Sequence, residues 1–273
     1  MELLVFDLDG TLLDESSRIS GFTRETLQLL TRRGIAYTVA TGRNLHSAQE
    51  IIHDHGFSLP HVYTNGVIIW DPQLESLSLA NFLTVDEAEH VLAAAAKADL
   101  TPFVHAITAD HQHYICHPPV RHAVEEKLLA VFTARTATPV RPLSQLPANA
   151  QITNINMLGD AGAIESVEVS LTTEAHLVAY SGPAIENKAL RWIDIHHSNA
   201  SKGSAVTLLR EQLGISKVVC FGDSDNDLSM FAVADECYAP DNAKAAVKAA
   251  ASAVIGHHNQ DGIARFLRER FNL

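Results

Sequence analysis

The chain is expected to fold as a doubly wound α/β protein with a second, α+β domain inserted into it. Two patterns in the sequence predict this. Near both ends, short apolar runs alternate with helical periods, the rhythm of parallel strands joined by right-handed crossover helices. Between them, from about Asn81 to His196, that rhythm gives way to scattered strand-like pieces, two helical stretches and Pro118, Pro119, Pro139, Pro142 and Pro147, with no buried parallel strand evident.

Taken in order, Leu3 to Phe6 is a continuous apolar run, as in a strand buried on both faces. Thr23 to Arg33 reads as a helix closed by Gly34, and Ile35 to Ala40 as the next buried strand. Leu45, Ala48, Ile51 and Ile52 fall at helical spacing before Gly56. Val62 to Thr64 and Val67 to Trp70 read as strands about an Asn65-Gly66 turn. In the insert, Pro102 to Ala106, His113 to His117, Ile152 to Leu158, His176 to Tyr180 and Arg191 to Ile195 look like strands, and Val85 to Ala98 and Val124 to Phe132 like helices. The first rhythm then returns. Helices are expected at Ala205 to Leu213, Leu228 to Ala234, Ala243 to Ala251 and Ile263 to Phe271, with strands at Val218 to Phe221, Cys237 to Ala239 and Val254-Ile255. This divides the chain into a core of residues 1–80 with 197–273 and an insert of residues 81–196.

The 273 residues suffice for one large or two modest domains, and 47% apolar with 19% charged residues suits an ordered globular chain. With 32 acidic against 20 basic residues the formal charge is −12, which repels polyanions and argues against nucleic acid as a partner. A small phosphorylated metabolite remains compatible, because a metal ion and a few placed cations reverse the sign locally. Three scattered cysteines make neither a disulfide framework nor a CxxC site, so a reducing, cytoplasmic setting is expected. The N-terminus meets acidic residues at once and does not read as a secretion signal. No apolar run reaches the roughly 18 residues of a membrane helix, so no membrane partner is expected.

Polar clusters stand where the strands end, the place where open α/β sheets bind ligands. Asp7-Leu8-Asp9-Gly10-Thr11 follows the first strand. A capped turn would explain it structurally. Chemically, one carboxylate can attack phosphorus while the other serves as general acid and base. Thr41-Gly42-Arg43 opens a helix with a hydroxyl and exposed N–H groups that suit a phosphate, although Thr and Gly are also ordinary capping residues. Lys202, in Ser201-Lys202-Gly203-Ser204, opposes the macrodipole at a helix start, a cost of about 0.3–1 kcal/mol that nearby carboxylates and a phosphate would offset. Gly222-Asp223-Ser224-Asp225-Asn226-Asp227 is the most specific cluster, since three carboxylates in five residues repel one another without a cation. Magnesium takes oxygen ligands, and Asp7 and Asp223 with the Asp9 carbonyl would meet its demand.

Together DLDGT, Thr41-Gly42-Arg43, Lys202 and GDSDND resemble the haloacid dehalogenase superfamily in order and approximate spacing. The long insertion, with Asn65-Gly66 before it and SKG after it, resembles the Cof-type (IIB) sugar-phosphatase branch. The resemblance implies a Rossmann-like core with a C2B-type cap and a Mg²⁺-dependent phosphatase working through an aspartyl-phosphate. Carried over by position, it makes Asp7 the nucleophile, Asp9 the general acid and base, and Lys202 a stabiliser of transferred charge. Thr11, Thr41, Gly42, Arg43, Lys202 and Asn226 would face the phosphate, and Asp7, Asp9, Asp223 and Asp227 would hold the metal or its waters. Ala239-Pro240-Asp241-Asn242-Ala243 departs from the branch, which has a glycine before Asn-Ala.

In the insert, His111 and His113 would share a strand face and are candidate specificity residues, with a zinc site among His105, His111, His113, His117 and His122 as an outside alternative. His196-His197 and His257-His258 read as ordinary polar loop residues. A dehalogenase, a phosphomutase and a non-catalytic metal or phosphate sensor are the rival functions. Asp9 and the acidic GDSDND cluster weigh against the first, and the intact set Asp7, Asp9, Lys202 and Asp223 against the last.

Overall fold

A computed structural model describes residues 1–135, 138–184 and 187–273. The chain divides into two compact units, one of Met1–Ala80 with Ala200–Leu273 and one of Asn81–Asn199. The return to the first unit therefore falls at 200 rather than 197, because the last strand of the insert runs on to His197.

In the first unit the chain forms β1 (Glu2–Phe6), α1 (Gly21–Arg32), β2 (Ala36–Val39), α2 (Leu45–Ile52), β3 (His61–Tyr63), β4 (Ile68–Asp71) and β5 (Ser76–Ala80). The second unit holds α3 (Val85–Lys97), β6 (Phe103–Ile107), β7 (His113–His117), α4 (Ala123–Arg135), β8 (Val140–Pro142), β9 (Gln151–Asp160), α5 (Ala161–Leu171), β10 (Leu177–Pro183) and β11 (Leu190–His197). Back in the first unit follow α6 (Lys202–Gln212), β12 (Lys217–Phe221), α7 (Leu228–Phe231), β13 (Glu236–Pro240), α8 (Ala245–Ala250), β14 (Ala253–Ile255) and α9 (Gly262–Phe271).

The core sheet has the order β14-β13-β12-β1-β2 and is parallel throughout. Its centre is the β1–β12 pair, where Leu3, Leu4, Val5 and Phe6 are wholly buried against Val218 to Phe221. Strand alternation sends Leu3, Val5, Val218 and Cys220 to one face, packed with Val206 and Leu209 of α6 and Val247 of α8. On the other face Phe6 meets Phe221 at 5.0 Å between ring centroids, and Phe221 meets Phe266 of α9 at 6.0 Å. Covered on both sides, these strands must be apolar without interruption, which is why the sequence reads as it does.

One expectation needs correction. The third strand of the first half does not join the parallel sheet as a full member. Val62 touches it only through a single bridge to Ala40, while β3, β4 and β5 form a separate antiparallel meander. With Val62 opposite Ala40, extending the pairing beside β2 would set Pro60 opposite Thr38, and proline has no N–H to give the ladder.

The insert is a six-stranded sheet of order β10-β11-β9-β6-β7-β8, antiparallel except for β7–β8. Val91, Ala95, Ile164 and Val167 of α3 and α5 pack on Val104, Ile155, Met157 and Ile193 of the sheet. Phe103 and His105 point to the opposite face and meet Phe132 of α4, at 5.3 and 5.7 Å.

An ion-pair cluster ties the ends of the first unit together. Arg270 of α9 donates to Glu236 at 2.5 Å and to Glu2 at 2.9 Å, and Lys217 lies 2.5 Å from Glu236. Hydrogen bonds from Arg270, Lys217 and Tyr238 hold the Glu236 carboxyl down at about 2. Its folded-state pKa is below the unfolded one, so its stabilisation is complete above about pH 4.3 and fades as the pH falls toward 2. Glu236→Gln should cost about 1–2 kcal/mol in urea unfolding near neutral pH. That gap should narrow steadily below about pH 4.3. A gap independent of pH would contradict the assignment.

Candidate active site at the carboxyl edge of the core sheet

β1 and β12 run side by side, so the loops that leave them must emerge together. The ladder continues one step past β1, with Asp7 N–H donating to the Phe221 carbonyl at 2.9 Å, and this delivers the Asp7 side chain to the sheet edge. The chain then makes one wide turn, closed by Leu13 N–H on the Leu8 carbonyl at 3.0 Å. Gly10 sits in it at φ 76°, where a Cβ would lie 2.6 Å from Asp223 Oδ2, so only glycine fits. Gly222 is required for the same kind of reason, because a Cβ there would lie 2.5 Å from the Asp227 side chain.

Lys202 starts α6 beneath a Ser201–Ser204 capping box. Its side chain is wholly buried, and Nζ donates to Asp7 Oδ1 at 2.5 Å and to Asp227 Oδ1 at 2.7 Å. Asp227 Oδ2 in turn accepts the N–H groups of Asp223 and Ser224 at 2.8 and 2.9 Å, which shapes the loop that presents Asp223. Thr11 Oγ1 donates to Asp223 Oδ1 at 3.3 Å. Asp7, Asp9's neighbour along the loop, thus shares one buried cluster with Asp223, Asp227, Lys202 and Thr11.

The electrostatics are unbalanced. Burial pushes Asp7 well up, Lys202 pulls it down, and Asp227 and Asp223 add to the rise. Burial and the Asp227 charge push Asp223 up to about 6. Burial also works against the Lys202 ammonium, but Asp227 and Asp7 outweigh it, so the lysine is held charged. Oxygens of Asp7, Asp223 and Asp227 lie within 4.8 Å of one another, the only such group of metal-ligating side chains among the described residues. A hard divalent cation fits this donor set, since all its ligands are carboxylate oxygens and its charge answers their repulsion. Asp227 has both oxygens engaged, which leaves Asp7 and Asp223 as the more available ligands.

Thr41 is buried at the end of β2, and its Oγ1 accepts from Arg43 N–H at 3.1 Å. Gly42 lies against Asn65, whose Oδ1 accepts from Asn226 Nδ2 at 2.9 Å. Asn65 therefore couples the Thr41-Gly42 loop to the Asp223 loop. Arg43, which the resemblance places on phosphate, is found on Asp9: Nε donates to Oδ2 and Nη2 to Oδ1, both at 2.6 Å. The Asp9 side chain is 51% exposed and stands outside the three-carboxylate cluster.

Two residues that sequence reasoning passed over hold the Asp7–Leu13 loop from the other side. Asn242 Nδ2 donates to the Gly10 carbonyl at 2.7 Å and Oδ1 accepts His258 N–H at 3.2 Å. His258 Nδ1 lies 2.8 Å from the Leu13 carbonyl, so Nδ1 is the protonated nitrogen and His258 is not an idle loop residue. Asn242 was findable, because it follows β13 at the same sheet edge as the other clusters. Nothing in the local sequence marks His258.

His111 and His113 belong to the other unit. They do not share a strand face: His111 lies in the turn before β7 at φ 62°, and only His113 is on the strand, where it is buried. Among the described residues the histidines of the insert form no three-ligand metal group.

A parallel α/β core gathers an acidic DxD loop, a buried lysine and a second acidic loop at one edge, a donor set that could hold a metal ion. Residues 4–267 match the model of the haloacid dehalogenase-like hydrolases, and the chain belongs to that family. It is 26% identical to the 5-amino-6-(5-phospho-D-ribitylamino)uracil phosphatase YitU of Bacillus subtilis, over 99% of this chain and 98% of that one. It is 27% identical to the HMP-PP phosphatase of Serratia proteamaculans, over 97% and 94%. In fold it resembles the HAD subclass IIB sugar phosphatase BT4131, with a TM-score of 0.77 at 22% identity over 100% of this chain and 99% of that one.

Two outcomes follow from the charge balance. Lys202→Ala leaves buried carboxylates without their cation, so it should cost about 3–5 kcal/mol in urea unfolding in EDTA. A loss below about 1 kcal/mol would show that the ion pair is not what holds the site. Asp223, raised to about 6, binds a proton more readily in the fold than in the unfolded chain. Its contribution to the metal-free protein is therefore lost as the pH rises from about 4 through 6. Saturating Mg²⁺ should add about 1–3 kcal/mol above pH 6, less at pH 5, and little in Asp223→Asn. Equal stabilisation of that variant would place the cation elsewhere.

Proposed function

We propose that this hydrolase is a Mg²⁺-dependent phosphatase of a small phosphorylated metabolite, with Asp7 as the nucleophile that becomes an aspartyl-phosphate. The observation that carries the reading is the Asp7 carboxylate, oriented at 2.5 Å by a buried, charged Lys202 beside Asp223 and Asp227. A carboxylate so fixed is presented for in-line attack without loss of orientation at the moment of reaction.

In the first half-reaction an Asp7 oxygen forms a bond to phosphorus as the phosphorus–oxygen bond to the leaving alcohol breaks, and Asp9 gives the departing alcohol oxygen a proton. In the second half Asp9 takes a proton from water, which attacks the phosphorus. Inorganic phosphate leaves and the Asp7 carboxylate is restored. Lys202, the Thr11 and Thr41 hydroxyls and the N–H groups about Gly42 offer positive charge to the phosphoryl oxygens, with Asn226 holding the neighbouring loop. Asp7, Asp223 and the Asp9 carbonyl would hold Mg²⁺, with Asp227 ordering the loop behind them. Bound there, the ion would neutralise the repulsion between Asp7 and the phosphate dianion.

The substrates in the relatives' names, 5-amino-6-(5-phospho-D-ribitylamino)uracil and HMP-PP, support a phosphorylated small metabolite. The middle unit, residues 81–196 as read from the sequence, is proposed to select the leaving group, with His111 and His113 as its first candidates. The three cysteines are free and buried, which suits a reducing cytoplasm, and no described helix is long and apolar enough to cross a membrane.

The test is a panel of phosphorylated metabolites assayed with Mg²⁺, with Asp7→Asn alongside. The variant should fold and fall below about a thousandth of wild-type kcat, a barrier increase above roughly 4 kcal/mol. EDTA should stop wild-type turnover and Mg²⁺ restore it. Residual activity within tenfold of wild type, or full activity in metal-depleted protein, would sink the mechanism. Transfer to a second sugar hydroxyl in excess of water would make it a phosphomutase instead.

A further inference from the structure

We propose that Arg43 is a positioning residue for Asp9, fixing the carboxylate that protonates the leaving group, and not a phosphate clamp. The inference rests on the phosphatase reading given above. Its basis is the fork itself: Nε and Nη2 of Arg43 meet Oδ2 and Oδ1 of Asp9, both at 2.6 Å. Two parallel N–H···O bonds fix the plane of a carboxylate as well as its place, which a single contact does not.

Asp9 needs such a fix. Its loop neighbour Asp7 is buried and held by Lys202, whereas the Asp9 side chain is 51% exposed, and among the described residues its side chain has no other hydrogen bond. A short, half-exposed side chain would otherwise turn freely among its rotamers. Arg43 is itself pinned through the main chain on both sides. Its N–H donates to Thr41 Oγ1 at 3.1 Å, and its carbonyl accepts Thr64 N–H at 2.9 Å. Two residues on, α2 begins, with Asn44 as its cap. The guanidinium is thus anchored to the end of β2 and transmits that rigidity to Asp9.

Neither stability nor phosphate binding accounts for the fork as well. A partly exposed ion pair contributes about 0–1 kcal/mol, so stability alone is a weak reason for a bidentate pair at a site edge. Asp9 occupies the Nε–Nη2 edge, so a phosphate could meet Arg43 only through its Nη1 end.

The experiment compares Arg43→Ala, Arg43→Lys and wild type, all with Mg²⁺, on an alkyl phosphate and on p-nitrophenyl phosphate. The measured quantity is kcat/KM, which covers only steps up to departure of the alcohol. An alkoxide needs a proton to leave, while nitrophenolate departs as a stable anion. Arg43→Ala should therefore lose roughly 10–100-fold on the alkyl ester and within about threefold on the nitrophenyl ester. Inhibition by inorganic phosphate should stay within about twofold, because Arg43 spends its fork on Asp9. Arg43→Lys, which keeps the charge but not the fork, should lose nearly as much on the alkyl ester. Guanidinium at non-denaturing concentration should restore part of the alkyl-ester activity of Arg43→Ala, a rescue that a misfolded variant would not show. Equal losses on both esters, or phosphate inhibition weakened about tenfold or more, would overturn the proposal in favour of a phosphate clamp. Failure of wild type to hydrolyse either ester would overturn the phosphatase reading and this proposal together. Wild-type turnover with unselective variants overturns only the role of Arg43.

Discussion

Two buried carboxylates, Asp7 and Asp227, share one lysine beside the half-buried Asp223, and much of the first unit is arranged around that shortage of positive charge. With oxygens within 4.8 Å of one another, each carboxylate pair repels by about 3–4 kcal/mol at an effective dielectric of ~20. Contacts of 2.5 and 2.7 Å to Lys202 return roughly 6 kcal/mol each on the same scale. Attraction and repulsion come out about equal, and the cost of taking four charged groups out of water is left over. The raised Asp7 and Asp223 are the expression of that remainder. A divalent cation bound there would supply the positive charge that the site lacks.

The fold makes this concentration possible by supplying rigidity from apolar layers that carry no charge. β1 and β12, adjacent and apolar from Leu3 to Phe6 and from Val218 to Phe221, end together, so the loops that follow them start from fixed points. Close approach then depends on missing side chains. Gly10 lets one loop pass against Asp223, and Gly222 lets the other close on Asp227. Asn242 and His258 hold the first loop from β13 and the segment before α9, elements close to the C-terminal end of the chain. The site is assembled from at least four sheet-edge loops, in which bonds within a loop are joined by bonds from its neighbours.

That dependence explains what was legible in the sequence. Apolar runs report burial on two faces, so the parallel core and its edge clusters could be read from Leu3 to Phe6 and Val218 to Phe221. The acidic loops were legible because uncompensated charge at strand ends has few structural uses. Pairing between distant loops was not. Nothing near Arg43 says that its partner is Asp9, and nothing near His258 says that it holds Leu13, since both bonds exist only after the sheet has assembled. The expectation that His111 and His113 share a strand face failed for a local reason. Period-two reasoning holds only inside a strand, and the backbone is still turning at His111. The third strand misled in the same way, because a short apolar segment looks alike in a parallel sheet and in a meander.

On the proposed mechanism, the two aspartates of the first loop would divide the labour by environment rather than by residue type. Asp7 and Asp9 are two positions apart on one turn, yet one is buried against an ammonium and two carboxylates while the other stands half in solvent against a guanidinium. A nucleophile benefits from burial, because a desolvated oxygen held by one lysine keeps its direction and has no water shell to shed. A proton carrier has the opposite need, since it must exchange protons with water once per cycle and return to the same place. Exposure supplies the exchange and the arginine fork supplies the place. If the two side chains traded surroundings, the buried one could not reload from solvent and the exposed one would meet phosphorus through a layer of water. The proposed separation of roles therefore rests on the turn itself, which leaves the Asp7 carboxylate in the buried cluster and the Asp9 carboxylate exposed outside it.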